Sequence, residues 1–160
     1  MTDHGKSRRK NGSPRQPTAK PAPVLNYQQY VALAEFRRAL RGFLAFSETA
    51  TRQSGVTTQQ YQALLAIKAH PNDALLVREL AHEMLLKHNN AVQLVDRLVK
   101  AKLVRRETSR DDRRAVVLKP TRLGEQKTAY LAAIHFRELL PRLGQFAHLA
   151  RLASRMEQVS

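Results

Sequence analysis

Apolar residues recur at intervals of three and four positions from Asn26 to about Arg52, which is the spacing of helical faces. The recurring residues are Tyr30, Leu33, Ala34, Phe36, Leu40, Phe43, Leu44 and Phe46. Gly55 interrupts the pattern. Thr57 and Gln60 then have capping-box spacing, in which the threonine accepts a hydrogen bond from the third amide and the glutamine reaches back. The pattern predicts a long first helix and a second helix that begins after the threonine.

Two shorter helices are predicted next. The second helix should end before Pro71, because a proline disfavours helical geometry in the residue that precedes it. A third helix is predicted from about Leu76 to Met84, and a fourth from about His88 to Ala101. Both have apolar residues at helical spacing, so each should bury one face.

Two apolar runs, Leu103-Val104 and Ala115 to Leu118, flank a charged loop and predict a β-hairpin. Thr121 is placed to cap a long last helical region, which Pro141 and Gly144 interrupt. Two short helices followed at once by a hairpin is the order of a winged helix-turn-helix. The predicted fold is therefore mainly α with a small β-hairpin wing.

The terminal helices carry apolar residues over a wider arc than one small lobe can cover, and such a surplus indicates an interface. We therefore divide the chain into a disordered basic arm (1–24) and a single domain (25–160). Within the domain, residues 55–121 form the winged-helix lobe. Residues 25–54 and 122–160 form dimerisation helices.

The charge balance favours a polyanionic partner. The chain has 28 Lys and Arg against 13 Asp and Glu, a formal net charge of +15, and it has no cysteine. Nucleic acid or an anionic membrane surface would attract this charge. The absence of cysteine fits a reducing compartment. Because no apolar run reaches about 18 residues and the N-terminus lacks a signal-peptide pattern, we expect a cytoplasmic, nucleoid-associated protein.

The first 23 residues combine basic charge with proline and contain almost no large aliphatic residue, which is typical of a disordered segment. Asp3 opposes the basic residues Lys6, Arg8, Arg9, Lys10, Arg15 and Lys20. The arm could bind phosphates without sequence preference, solubilise the protein, or bind a membrane surface. The stretch Ser13 to Pro17 matches minor-groove hooks only poorly.

The start of the fourth helix carries side chains that suit base recognition. Asn and Gln pair with adenine edges, and His contacts a base or a phosphate. The residues predicted to bind DNA from this helix are Lys87, His88, Asn89, Asn90, Gln93 and Arg97. Asn89 or Asn90 could instead only cap the helix.

The loop between the two apolar runs places arginines at the tip of the hairpin. Arg110, Arg113 and Arg114 could reach phosphates or a narrow minor groove. Asp111 and Asp112 could hold these arginines in a fixed direction through charge-assisted hydrogen bonds, which would brace the wing. The alternative is an exposed loop whose charges screen one another and contribute little.

Together these segments resemble the MarR family of transcriptional regulators. The resemblance covers VTTQQYQALLAI (56–67) and residues 76–125, with LVDRL (94–98), DDRRA (111–115) and TRLG (121–124) as its most recognisable parts. It implies a homodimer that usually represses by occupying palindromic operators, and in many members a small aromatic or anionic ligand releases the DNA. It also implies a salt bridge of Asp96 with Arg114, and Arg113 nearest the minor groove, although these two arginines could exchange roles.

One departure from the family concerns the start of the fourth helix. Leu85-Leu86-Lys87 stands where the family often has Gly-Ile-Ser, so the usual turn residue and serine cap are missing. Family resemblance also suggests an effector pocket with Phe36, Tyr61 and His135, although the sequence favours a role of each in filling the core or the dimer interface.

Enzymatic and metal-dependent functions are not expected. The histidines have neither HExxH nor paired Cys/His spacing, and there is no G-x-S-x-G elbow or glycine-rich phosphate loop. We therefore predict no enzyme activity, no cofactor and no metal. The predicted function is sequence-specific double-stranded DNA binding by a homodimeric regulator. The alternative is a basic architectural or RNA-binding protein without sequence selectivity.

Overall fold

The computed structural model of the chain describes residues 24–108 and 115–157. Helix α1 (Tyr27–Gln53) begins at a capping box in which the Gln29 amide donates to Asn26 Oδ1 (3.1 Å) and the Asn26 amide donates to Gln29 Oε1 (2.8 Å). The helix is followed by Gly55, whose φ of +70° is a conformation that glycine adopts without steric cost. The long first helix and its end are as predicted.

Helix α2 (Thr58–Ala69) begins at the predicted capping box. The Gln60 amide donates to Thr57 Oγ1 (3.1 Å), and the Thr57 amide donates to Gln60 Oε1 (2.9 Å). A hydrogen bond of 3.1 Å between the Thr51 and Thr58 hydroxyls joins α1 to α2. The helix ends before Pro71, as predicted, and a single 3-10 turn follows (Pro71–Asp73).

Helices α3 (Val77–Glu83) and α4 (His88–Lys100) form the predicted helix-turn-helix pair. Leu85, in the turn between them, has a φ of +51° and is 92% exposed. Lys87 is the N-cap of α4 and makes no side-chain capping bond. The alternative in which Asn89 or Asn90 only caps the helix is therefore wrong, because both lie inside its first turn.

The sheet has three antiparallel strands, one more than the predicted hairpin. Strands β1 (Leu75–Leu76), β2 (Val104–Thr108) and β3 (Val116–Pro120) are ordered β1-β3-β2, with Arg106 opposite Leu118. Leu76 pairs with Val117, so it belongs to a strand and not to the start of the third helix. The two hairpin strands are also longer than the apolar runs that predicted them.

Helix α5 (Arg122–Leu139) is capped by Thr121, as predicted: the Gly124 amide donates to Thr121 Oγ1 (3.1 Å). The same hydroxyl donates to the Lys102 carbonyl (2.6 Å). A Cβ on Gly124 would lie 2.0 Å from the Leu103 carbonyl oxygen, so a glycine is required for this close approach. The threonine and the glycine thus fix the start of α5 against the chain that enters β2.

The last part of the chain turns at Pro141, as predicted. A 3-10 turn (Leu140–Arg142) separates α5 from helix α6 (Leu143–Glu157), which packs along α1. The fully buried core lies in the lobe and the neighbouring helices. Its largest members are Leu64, Ile67, Leu75, Leu80, Leu94, Leu98, Leu118 and Leu131.

Candidate nucleic-acid interface

Helix α4 presents a polar face because most of its apolar residues point into the lobe. Ala91, Leu94, Val95 and Leu98 are fully buried, with no exposed surface. The residues predicted to bind DNA are all exposed on the remaining surface: Lys87, His88, Asn89, Asn90, Gln93 and Arg97. Helix α3 packs against α4, so these side chains project from a helix that is held against the lobe.

One flank of α4 faces the sheet. Asp96 Oδ1 accepts a hydrogen bond of 2.5 Å from Arg106 Nη2, and Arg106 lies on β2. The resemblance implied Arg114 as the partner of Asp96, and Arg114 lies outside the described residues. The ion pair ties α4 to the base of the wing, so the angle between them is braced from β2.

A groove of about 540 Å³ separates this flank of α4 from the sheet and α3. Apolar side chains form much of its lining, and Arg78, His88 and Arg106 add nitrogen donors. The remaining lining residues are Leu76, Val77, Val92, Ala115 and Val116. The groove thus combines an apolar surface with basic groups, which suits the sugars and phosphates of a nucleic-acid backbone.

The opposite flank of α4 faces the start of α2. Arg97 Nη2 donates a hydrogen bond of 3.0 Å to Gln59 Oε1. Because Gln59 is neutral, the guanidinium keeps its net positive charge toward solvent. The polar face of α4 is therefore bordered by a charged arginine on this side and by the Asp96–Arg106 ion pair on the other.

The outer face of the wing stem is held by a small ion network. Glu107 accepts from Arg105 Nε (2.7 Å) and from Lys119 Nζ (2.9 Å), and Arg105 Nη1 donates to the Pro120 carbonyl (3.1 Å). Hydrogen bonds from Lys119 and Arg105 lower the pKa of Glu107. The network joins β2 to β3 below the wing tip.

The tip of the wing lies outside the described residues. This applies to three predicted DNA-contacting arginines, Arg110, Arg113 and Arg114, and to the two predicted bracing acids, Asp111 and Asp112. Their predicted roles therefore stay predictions. The basic arm of residues 1–24 lies outside the described range except for Val24.

The three residues suggested for an effector pocket do not form one cluster. Tyr61 and His135 are buried with their ring centroids 4.6 Å apart, whereas Phe36 packs edge-on against Phe146 at 5.3 Å. His135 Nδ1 donates to the Leu131 carbonyl (2.7 Å), so Nε2 is left to accept from the Ser47 hydroxyl (2.8 Å).

Both ring nitrogens of the buried His135 therefore have hydrogen-bond partners. The rings of Phe43 and Phe46 pack edge-on against His135, and burial raises the pKa of Tyr61. Tyr61 and His135 therefore have the surroundings of core residues, which matches the alternative interpretation given with the pocket.

The described residues offer neither a metal site nor a helix that could span a membrane. Across residues 24–108 and 115–157, no three His, Cys, Asp or Glu side chains converge where a metal ion could be held. In that part of the chain, every helix is too short or too polar to cross a bilayer.

The fold and the placement of the polar helix define a winged helix-turn-helix protein. Residues 54–115 match the model of the MarR family. The segment that contains α2, α3, α4 and β2 thus matches the MarR family, and the resemblance seen in the sequence is confirmed. The family consists of transcriptional regulators and not of enzymes, in agreement with the prediction. No match was found among curated protein sequences.

Solved structures of MarR-family regulators share the fold over most of the chain. AbsC from Streptomyces coelicolor aligns with a TM-score of 0.67 and 19% identity, over 86% of this chain and 95% of AbsC. A MarR mutant from E. coli aligns with a TM-score of 0.60 and 16% identity, over 86% and 98% of the two chains. A MepR mutant from S. aureus, solved bound to an oligodeoxyribonucleotide, aligns with a TM-score of 0.59 and 20% identity, over 82% and 98%.

Proposed function

We propose that the protein is a sequence-specific double-stranded DNA-binding transcriptional regulator that uses α4 as its recognition helix. The observation that carries the proposal is the exposed polar start of α4, bordered by the charged Arg97 on one flank and by the Asp96–Arg106 ion pair on the other. A helix of this kind fits the major groove, and a basic group such as Arg97 beside it neutralises a flanking phosphate. The MarR-family match of residues 54–115 supports the same function.

We further propose that the protein acts as a homodimer, with residues 25–54 and 122–160 as dimerisation helices and residues 55–121 as the DNA-binding lobe. Large apolar residues remain exposed on the terminal helices, and a second copy would cover them. They are Tyr27, Tyr30, Leu33, Leu44, Leu123, Tyr130, Phe136, Leu140 and Leu143. Two-fold symmetry would place the two recognition helices about 34 Å apart, on the halves of a palindromic operator. Occupancy of such an operator would repress transcription.

The proposed division of roles separates base contacts from backbone contacts. Asn89, Asn90 and Gln93 would read base edges, because their amide groups match the edge of adenine. Arg113 at the wing tip would contact the backbone or the minor groove. Arg113→Ala is then expected to weaken binding by about 1–3 kcal/mol at every operator sequence. Asn90→Ala should relax the preference at one base pair, and an unchanged preference would contradict the placement of α4.

The decisive experiment is footprinting on the DNA that flanks the protein's own gene, followed by binding measurements at matched salt. A regulator should prefer a palindrome from that region over random duplex by at least about 10³-fold. A basic architectural or RNA-binding protein should instead show nearly equal affinities and a steep salt dependence. Equal affinities for the palindrome and the random duplex would therefore overturn the proposal.

Two further parts of the proposal are tested in the same assay. Release by a small aromatic or anionic ligand, which the family resemblance supports, predicts that the footprint fades when small aromatic acids are added. The basic arm should add only phosphate attraction, so a chain that lacks residues 1–23 should keep its footprint and lose part of its salt dependence. If the arm instead binds membrane surfaces, its removal should abolish the binding of the protein to anionic vesicles.

A further inference from the structure

We propose that Gln59, at the start of α2, is a positioning residue for DNA binding. It would hold Arg97 against the phosphate backbone on the side of the recognition helix opposite the wing. The inference rests on the proposed function, because it assumes that α4 lies in the major groove. The inference adds a second contact to the DNA backbone, besides that of the wing. The residue that sets the geometry of this contact, Gln59, lies outside both α4 and the wing.

The placement follows from the helical period. At about 100° per residue, the buried stripe of α4 leaves Asn90 and Arg97 on one flank and His88 and Val92 on the other. His88 and Val92 line the groove beside the sheet, so that flank faces the wing. Arg97 lies on the other flank, and its hydrogen bond to Gln59 shows that this flank faces α2.

The chemistry of the Gln59–Arg97 pair suits a contact with the DNA phosphate backbone better than a purely structural role in the fold. Gln59 Oε1 uses one guanidinium N–H of Arg97, and arginine carries five donors in a rigid fork. The remaining donors can still bind a phosphate. Gln59 is also neutral, so it restricts the side-chain rotamers of Arg97 without cancelling its charge.

The neighbouring acid shows the contrasting arrangement. Asp96 pairs directly with Arg106 at 2.5 Å, which turns two charges into a brace of no net charge. Adjacent residues of α4 thus have different partners. Asp96 fixes the wing, whereas Arg97 is oriented and left charged.

Variants of Gln59 separate orientation from charge. The probes are a duplex of about 30 base pairs from the protein's own upstream region and a random duplex of the same length, each titrated at several salt concentrations. Gln59→Met removes the acceptor at nearly constant size, so affinity should fall about fivefold, the effect of one hydrogen bond, while the salt slope stays unchanged. Arg97→Ala should lower the salt slope by about one for each Arg97 that contacts a phosphate.

Gln59→Glu gives the most specific readout. A carboxylate at this position would form an ion pair with Arg97, so the salt slope should fall as far as it does in Arg97→Ala. Gln62→Glu is the matched control, because Gln62 is an exposed residue of the same helix and the variant adds the same charge. Its salt slope should lie closer to that of the wild type. In an Arg97→Ala background, neither Gln59 variant should have a further effect.

Three results would overturn the inference: an unchanged affinity in Gln59→Met, equal salt slopes in Gln59→Glu and Gln62→Glu, or full effects of the Gln59 variants without Arg97. The proposed function fails in a different way. It fails when the wild type does not distinguish the palindrome from the random duplex. The Gln59 and Arg97 effects can still be read on random duplex in that case, because a phosphate contact does not depend on sequence.

Discussion

The winged-helix lobe and the terminal helices bury their own apolar residues to different extents. In the lobe, Leu64, Leu94 and Leu98 have no exposed surface. At the far end of the molecule, Phe136 is 69% exposed, and α6 has no buried residue as far as Ser154. The lobe thus closes its core together with a few residues of α1 and α5, such as Leu131, whereas the terminal helices also keep an apolar surface that a second chain could cover.

This difference has an energetic meaning. Burial of apolar surface contributes about 25 cal/mol for each Å², so the closed core of the lobe supplies folding free energy within one chain. The terminal helices would gain the same kind of free energy only on association. Stability of the lobe should therefore be insensitive to protein concentration, and stability of the terminal helices should depend on it.

The largest effect is expected from a cavity in the lobe. Leu98→Ala removes a fully buried side chain that packs in the central cluster, and it should lower the free energy of unfolding by about 3 kcal/mol. Urea denaturation followed by circular dichroism measures this loss. Leu140→Ala is the matched control in the terminal region, where the side chain is half-exposed. Equal losses in the two variants, measured at low protein concentration, would contradict the comparison.

A charge on the apolar face of the terminal helices should weaken the proposed dimer without unfolding either chain. Phe136→Asp is expected to raise the dimer dissociation constant about 30-fold, equivalent to about 2 kcal/mol. Sedimentation equilibrium measures the constant, and circular dichroism checks that the helix content is kept. Leu65→Asp, on the partly exposed face of α2, serves as the control. A Phe136→Asp protein that assembles like the wild type would show that this face is not the interface.

Within the lobe, the turn before α4 contains a residue in an unfavourable backbone conformation. Leu85 has a φ of +51°, a conformation that costs a residue with a Cβ about 1–2 kcal/mol, and its side chain packs against little. Leu85→Gly should therefore raise the free energy of unfolding by about 1 kcal/mol, after allowance for the greater freedom of unfolded glycine. Thermal unfolding at fixed protein concentration measures the gain. Leu65→Gly, inside a helix, should instead be destabilising.

The smallest effect concerns pH and the wing stem. The folded pKa of Glu107 lies below its ordinary value of 4.5, because Lys119 and Arg105 stabilise the carboxylate. Its contribution to stability is therefore present above pH 4.5 and is lost as the pH falls through the folded pKa. The difference in stability between wild type and Glu107→Gln should shrink between pH 6 and pH 3, by a small amount because the side chains are exposed. A difference that grows toward low pH would contradict the assigned cause.

The caps and ends of the helices were the parts of the fold that the sequence predicted well. Thr57 with Gln60 and Thr121 with Gly124 are caps whose partners lie three residues away, so the spacing alone identifies them. The ends of α2 and α5 were also predictable from the sequence. Pro71 and Pro141 follow them closely, and a proline disfavours helical geometry in the residue that precedes it. The exposed face of α4 was also predictable, because its apolar residues repeat with the helical period.

Contacts between distant residues could not be predicted in this way. Strand β1 has only two residues, and it exists because Leu76 pairs with Val117, forty-one positions further along the chain. The partner of Gln59 is Arg97, thirty-eight positions away. Arg106 was overlooked as a partner of Asp96 because several arginines follow it, and a count of charges cannot distinguish a strand residue from one at the tip.

In the proposed dimer, helix α1 would have a mechanical consequence for the choice of DNA site. Its 27 residues form one rod about 40 Å long that packs on α6 near its first half and meets α2 at its far end. A tilt of about 5° where the rod is anchored would swing its far end by about 3.5 Å, close to the ~3.4 Å rise of one base pair. A change in packing too small to alter any secondary structure could therefore shift the spacing of half-sites by a whole base pair.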